Sequence, residues 1–476
     1  MKILYTVLFI ALSISSYSQT PCYAGMAGIY PCNNVDLMAF VTLSDLGVDV
    51  NGNTNDVWGW VGPSGKEYAI VGSSNGTTFL DVSNPAVPIN VGFLPTHTIS
   101  SLWRDVESRG NYLFVGSEAQ DHGLQVFDLM ELETATDLPV DFEETAHYNG
   151  FGNSHTISID QQSGYLYANG TGTFSGGLHI VNINNPLNPV VAGGFEAEGY
   201  THDSFAFTYN GPDTDFTGSE IVMACNGFGP LVAVDVTDKT DCQTISTVVN
   251  DNQGYIHQGW FTEDQRYFLM NDEMDENFFD QTVRTHIFDC EDLNNMEYIG
   301  YYAFEQNAID HNLYIKGDKC YESNYTTGLR ILDVSDVANL NVEEVAYFDL
   351  YPSGDPQVYQ GTWSNYPFFT SGTVLATNMY EGVYILYYEG AVETAMDEEV
   401  RVNSLNIYPN PAENIIGFDH TGNDEITVSD VTGKVVLNVD AFNSAGNRFS
   451  LNVSSLDAGV YFLNAGENGY EKFVKR

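Results

Sequence analysis

Four histidines recur at matched places in the chain: His155, His202, His257 and His311 follow one another at nearly equal intervals. Each stands at or near the start of an apolar, β-prone segment, as in His155-Thr156-Ile157-Ser158-Ile159. A neutral imidazole is a ligand for divalent metals, and a protonated one is a partner for anions. Asp203 and Asp310 are direct neighbours of two of them and are suited to orient the rings. The competing role is packing, because histidines in equivalent slots can equally hydrogen-bond the backbone of the adjoining repeat. Trp58, Trp103 and Trp363 take the corresponding places elsewhere in the chain.

Oxygen-dense loops are the second chemical feature. Asp213-Thr214-Asp215-Phe216-Thr217-Gly218 spaces its oxygens as the start of a calcium loop does. Ala224 stands where an EF-hand needs its distal acid, so the segment is no EF-hand. Asp49 to Asp56 and the run Asp272-Glu273-Met274-Asp275-Glu276 are alternative oxygen clusters, and calcium is the cofactor expected there. Solvated acidic loops are the plain alternative. Enzyme signatures are sparse. Gly72-Ser73-Ser74-Asn75-Gly76 matches G-x-S-x-G, but a nucleophile elbow requires a following helix. Thr77 to Asp81 reads as a strand, so the match is a hairpin turn.

These residues are positioned by an internal repeat. An apolar pair followed by Asp or a stand-in recurs at Phe79-Leu80-Asp81, Val126-Phe127-Asp128, Ile180-Val181-Asn182, Ala233-Val234-Asp235, Ile287-Phe288-Asp289, Ile331-Leu332-Asp333 and Ile385-Leu386-Tyr387. Glycine precedes by five positions at Gly76, Gly123, Gly177, Gly328 and Gly382. Four apolar strands fit each unit of about 50 residues, the signature of a propeller blade. The innermost strands of such a ring would carry the four histidines around one channel. The seventh unit lacks a fourth strand, and the segment Val35 to Leu43 supplies one, closing the ring without an exposed edge. The expected class is therefore all-β: a seven-bladed β-propeller over residues 35–389, then a small antiparallel β-sandwich over 405–476. The acidic stretch 390–404 is read as a linker.

The chain has 476 residues, with 64 acidic against 16 basic and a formal charge of −48. No Lys/Arg stripe is available to neutralise phosphates, which excludes nucleic acid as a partner. Residues 1–18 read as an export signal: Lys2, an apolar stretch from Ile3 to Ile14, then Ser16-Tyr17-Ser18. No later run approaches the length of a transmembrane segment. In an oxidising compartment the six cysteines are disulfide candidates. Cys22 and Cys32, in the N-terminal loop 19–34, are the first pair; Cys225 with Cys242 and Cys290 with Cys320 are the others considered.

The C-terminal segment carries Tyr408-Pro409-Asn410-Pro411, Val428-Ser429-Asp430-Val431-Thr432-Gly433-Lys434, Leu456 to Leu463 and the final Phe473-Val474-Lys475-Arg476. Together these resemble the type A sorting domain of type IX secretion. The resemblance implies handling by the type IX machinery after passage through the periplasm, with release or attachment to the outer cell surface. Gly328 to Ser335 and Gly177 to Ile183 resemble LVIVD repeats. Tyr200 to Asp203, His257 to Trp260, Asn271 to Glu273 and Ile309 to Asn312 are similar to the choice-of-anchor B family of exported propellers. That family implies fold and localisation rather than an activity. Two functions are thus expected to compete: a module that binds an extracellular glycan or peptide, and a metal-assisted hydrolase or lyase at the channel mouth.

Overall fold

The computed structural model of the protein describes residues 19–392, 407, 410–419, 425–430, 434–440, 448–464 and 470–476. The expected export signal, most of the linker, and Tyr408 and Pro409 lie outside the described residues. The chain divides into two compact units, ending and beginning at Val392 and Glu393.

The first unit is all-β. Its strands form seven sheets of at least four strands. Their innermost strands are, in chain order, Thr54–Val61, Arg104–Arg109, Ile157–Asp160, Asp203–Thr208, Ile256–Phe261, Asn312–Lys316 and Thr362–Tyr366. Each packs against the next, and the seventh packs against the first. Hydrogen bonds join these last two sheets: Ser364 Oγ donates to Asp56 Oδ1 at 2.6 Å and Thr377 Oγ1 to the Asn55 carbonyl at 2.6 Å. Apolar clusters fill the space between neighbouring sheets, so most middle strands are buried on both faces. The Glu67–Ser73 strand, for example, is buried throughout.

The repeat has a local physical cause. The recurring Asp or Asn closes the third strand by accepting the backbone N–H two residues on. Asp81 does so to Ser83, Asp128 to Met130, Asn182 to Asn184, Asp235 to Thr237, Asp289 to Glu291 and Asp333 to Ser335, at 2.9–3.1 Å. This is an Asx turn, which a short carboxylate or amide makes at little entropic cost. Tyr387 breaks the series because its strand does not turn there; it continues to Val392. The recurring glycine sits against the fourth strand. A Cβ on Gly382 would run into the Val41 carbonyl, and its φ of +138° is closed to other residues.

The N-terminal segment joins two sheets. Asp36–Thr42 is the outermost strand of the seventh, pairing antiparallel with Gly382–Tyr387. Just before it, Tyr30–Asn33 extends the sixth sheet beyond Asn341–Phe348. Cys22 and Cys32 are bonded in this strap. The other four cysteines are thiols. Cys225 pairs with Leu231, which faces Val248, whereas Cys242 precedes Gln243 at the far end of that same strand. Cys290 and Cys320 sit in different interlayer cores. The sheets therefore hold each considered partner apart, and neither further disulfide exists.

The second unit contains a two-stranded sheet, Ile415–Asp419 with Arg448–Asn452, and a four-stranded antiparallel one. Ile416, Phe418, Val428, Leu451, Leu463 and Phe473 from both sheets share one core. Asn410 anchors the terminal strand, donating from Nδ2 to the Lys472 carbonyl at 3.1 Å and accepting at Oδ1 from Val474 N at 2.9 Å. Pro411 follows it, Lys475 ends the last strand, and Arg476 comes just after it.

Candidate functional site

The seven inner strands line one narrow cavity of about 70 Å³, with residues from every sheet. Its chemistry changes along its length. At the end where the strands begin, His155, His202, His257 and His311 form a row with ring centroids 4.2, 4.3 and 4.3 Å apart. Trp363 continues the row at 4.7 Å. At the other end Trp58, Trp260, Phe205 and Phe368 line a wider cavity of about 590 Å³. Trp58 therefore belongs to the opposite mouth and packs on Tyr366 at 5.2 Å. Arg104 and Asn55, beside Asp105 and Asp56, take the places in the first two sheets that histidine takes in the next four.

The row is held by the backbone. Nδ1 of His202 is 3.1 Å from the His257 carbonyl, Nδ1 of His257 is 3.0 Å from the His311 carbonyl, and Nδ1 of His311 is 2.5 Å from the Trp363 carbonyl. A carbonyl only accepts, so each of these nitrogens carries the proton. Burial pushes all three imidazoles down, His311 to about 3, and neighbouring rings lower His257 further. They are neutral at pH 7, and each keeps a lone pair on Nε2. Both competing roles of the histidines are thus compatible: Nδ1 joins the sheets, and Nε2 remains for a ligand. His155 differs, bonding Glu118 Oε1 through Nδ1 at 2.6 Å.

Glu273 completes the set. It sits on the turn after Tyr267–Asp272, with one carboxylate oxygen 3.9 Å from His257 Nε2 and the other 3.9 Å from His311 Nε2. Two donors at about 2.1 Å from one ion can lie up to about 4.2 Å apart, so the spacing admits a shared metal. Tyr325 Oη donates to Glu273 Oε1 at 2.6 Å and orients it. Burial raises the Glu273 carboxyl to about 7. A bulge in the inner strand takes His257 out of register with its partner strand and turns it toward this group. Tyr200, Trp103 and Tyr359 stand around this mouth, each about 40% exposed.

The remaining expected site residues are distributed otherwise. Asp203 accepts from Ser204 N and Asp310 from Asp272 N, so backbone carbonyls orient the imidazoles in their stead. Asp213 is consumed by Asp215 N and Leu293 N, while Asp215 faces solvent; the two do not converge on an ion. Asp49 is exposed too. Asp272, Asp275 and Glu276 are buried together behind Glu273. Sequence reasoning grouped Glu273 with that run, since nothing in a linear order shows which way each acid turns.

Below the histidines the cavity wall carries Asp56, Asp105, Glu107 and Asp203. Burial raises all four carboxyls, Asp203 to about 8, and Asp105 is raised further by its acidic neighbours Asp56 and Asp203. Unfolded carboxyls titrate near pH 4. Between about pH 4 and pH 8 these carboxyls therefore bind more protons in the folded protein than in the unfolded chain, and the depressed histidines oppose them only below about pH 6.5, so stability falls as pH rises from about 6.5 to 8. Each carboxyl contributes at most about 1.4 kcal/mol per pH unit. Thermal unfolding at pH 7 and pH 8, above the range of the histidines, checks this: the midpoint should be a few degrees higher at pH 7.

Residues 406–476 match the secretion system C-terminal sorting domain, and residues 51–96 match the LVIVD repeat. No curated protein matches the chain. Among solved structures, the Cps50 (Swd1) β-propeller domain of Myceliophteria thermophila aligns at 13% identity. That alignment covers 71% of this chain and 97% of that one, with a TM-score of 0.47. Hydrazine synthase of Kuenenia stuttgartiensis aligns at 12%, over 66% and 91%, also with a TM-score of 0.47. Among the described residues no helix is long and apolar enough to cross a membrane. The protein thus contains an LVIVD repeat and a C-terminal sorting domain, and type IX secretion carries it to the cell surface or the extracellular space.

Proposed function

We propose that the protein is an exported seven-bladed β-propeller that captures an extracellular glycan or peptide through a metal ion at one channel mouth, with its C-terminal sheets forming a sandwich. Residues 1–18 act as its export signal, and the choice-of-anchor B resemblance agrees with an exported propeller. One observation carries the binding site: the carbonyls of successive inner strands hold the protons on Nδ1, which leaves the Nε2 lone pairs of His257 and His311 facing Glu273. Neutral imidazoles oriented by a carbonyl are prepared ligands. Three protein donors leave a coordination position for an incoming oxygen. The aromatic side chains at the rim offer flat faces for sugar rings or apolar side chains.

The same open position suits a second reading, a metal-assisted hydrolase or lyase, because a bound water there would become a nucleophile. Metal analysis of the purified protein, joined to a glycan and peptide array run with and without chelator, separates them. We expect a first-row metal to be retained, His257→Ala to lose about nine-tenths of that channel-bound equivalent, and array binding to fall tenfold with chelator. Array binding unaffected by both treatments would refute a metal-dependent site. Turnover of the array ligand would favour the enzyme.

A further inference from the structure

Behind Glu273 the same turn holds a second set of donors, closed off from solvent. Asp272 ends the strand Tyr267–Asp272, and Asp275 begins the short helix Asp275–Phe279. His286 comes from the adjoining strand Arg284–Asp289, and Asn250 from the loop after Gln243–Val248. Asp272, Asp275 and His286 are 0% exposed and Asn250 is 5% exposed. One donor atom from each of Asp272, Asp275 and His286 lies within 4.8 Å of the others. Closer pairs are His286 Nε2 to Asp275 Oδ2 at 3.1 Å, Asn250 Nδ2 to Asp272 Oδ2 at 3.0 Å, and Asn250 Nδ2 to His286 Nε2 at 3.2 Å. Donors held at about 2.1 Å around one ion are spaced by about 3.0–3.4 Å at octahedral and tetrahedral angles.

The hydrogen bonds alone do not balance. His286 Nε2 faces a carboxylate oxygen, which requires a proton on the nitrogen, and an amide nitrogen, which requires a lone pair. One nitrogen cannot supply both. Asp275 Oδ1 and Asn250 Oδ1 are buried with no partner, an expensive state for polar atoms. Buried carboxyl groups crowd the same region. The Asp310 backbone N–H donates to Glu276 Oε1 at 3.2 Å, and both these acids are fully buried, each with a second oxygen unpartnered.

A cation resolves the conflict at His286 and Asn250. The lone pair of Nε2 points at it while Tyr298 Oη, 3.1 Å from Nδ1, takes the imidazole proton. Turning the Asn250 amide over brings its oxygen to the ion. Two carboxylates then face a divalent charge rather than one imidazole. Calcium takes oxygen donors, so the imidazole selects a borderline first-row ion instead. We propose that Asp272, Asp275 and His286, with the Asn250 amide oxygen, form a buried site for a first-row divalent metal, zinc foremost, that fixes the turn presenting Glu273 to the channel.

This site stands independently of the channel site, and the experiment keeps the two apart. In the purified double variant His257→Ala/His311→Ala, stripped with chelator and dialysed against zinc, we expect one retained equivalent and a zinc-dependent rise in thermal midpoint. Adding Asp275→Asn or His286→Gln, each close in size to the original side chain, should weaken retention at least tenfold. The proposal is overturned if the double variant retains no zinc and its midpoint does not respond, a reading that needs no further substitution. It is equally overturned if calcium is taken up in place of zinc, or if both added substitutions leave retention unchanged.

Discussion

A chain ending at Val392 should lose surface delivery completely and still unfold within a few degrees of the full-length protein. The sorting domain occupies 406–476, so its removal takes away the address for type IX export. The truncated chain should accumulate in the periplasm, and protease treatment of intact cells should leave it uncut. The first compact unit ends at Val392 and keeps all seven sheets, so its loss of stability should be under about 1 kcal/mol. Three residues decide the position of the cut. The strand Gly382–Val392 pairs Val392 with Ser371, Ala391 lies in the core at 2% exposure, and Lys316 Nζ donates to the Ala391 carbonyl at 3.0 Å. A chain ending at Glu389 forfeits all of these and should be destabilised by roughly 2 kcal/mol, since a hydrogen bond to a charged group alone is worth about 1.5–3 kcal/mol. Residues 390–392, expected in the acidic linker, belong instead to the strand Gly382–Val392. Urea midpoints of the two truncations test the difference.

Lys239→Ala should cost about 3–5 kcal/mol, the scale for leaving a buried charge without its partner. Lys239 Nζ donates to Glu220 Oε2 at 2.7 Å and to the Val236 carbonyl at 2.7 Å, and its ammonium lies 4.3 Å from the centre of the Tyr165 ring. The lysine and glutamate side chains are only 9% and 8% exposed. The other Glu220 oxygen accepts from Tyr167 Oη and Ser163 Oγ of the third sheet. One carboxylate thus ties two sheets together, and the lysine neutralises it. Replacing both partners, Lys239→Met with Glu220→Gln, should recover at least half of the loss, because the stranded charge is then gone. Denaturant titration of the two variants measures the coupling.

What could be read in the residues was what repeats. The Asp after each apolar pair and the glycine five positions earlier are legible because one backbone geometry demands them again and again. The orphan strand at Val35 to Leu43 was legible because a seventh unit lacked one. The chemistry was legible in part: equal spacing singled out the four histidines, yet which nitrogen carries the proton depends on carbonyls in the next repeat. Glu273 could not be separated from Asp272 and Asp275, since a sharp turn sends neighbouring carboxylates into different cavities. Trp58 was misplaced because a few positions along a strand carry a side chain from one mouth of the cavity to the other. Cys225 with Cys242 and Cys290 with Cys320 looked like pairs in sequence, but strand direction and sheet order part them. His286 and Asn250 gave no signal at all, being unremarkable residues made chemical only by what surrounds them.

The pairing of Asp36–Thr42 with Gly382–Tyr387 also governs how the chain can fold. In every other sheet the four inner strands are near neighbours in sequence and can pair as soon as their own residues are available. The last sheet waits for segments from the two ends of the ring to meet, so its pairing is the least local event in the molecule. Until then the Gly382–Val392 strand presents an unpaired apolar edge containing Val383 and Ile385, a surface to which another chain could add. The high negative charge offers protection in that interval by keeping unfinished chains apart. A chaperone that holds the N-terminal segment would delay completion while leaving the inner strands of the other sheets undisturbed. Refolding should accordingly show a fast phase that restores most β-structure and a slow, final phase reported by a probe on the 36–42 strand.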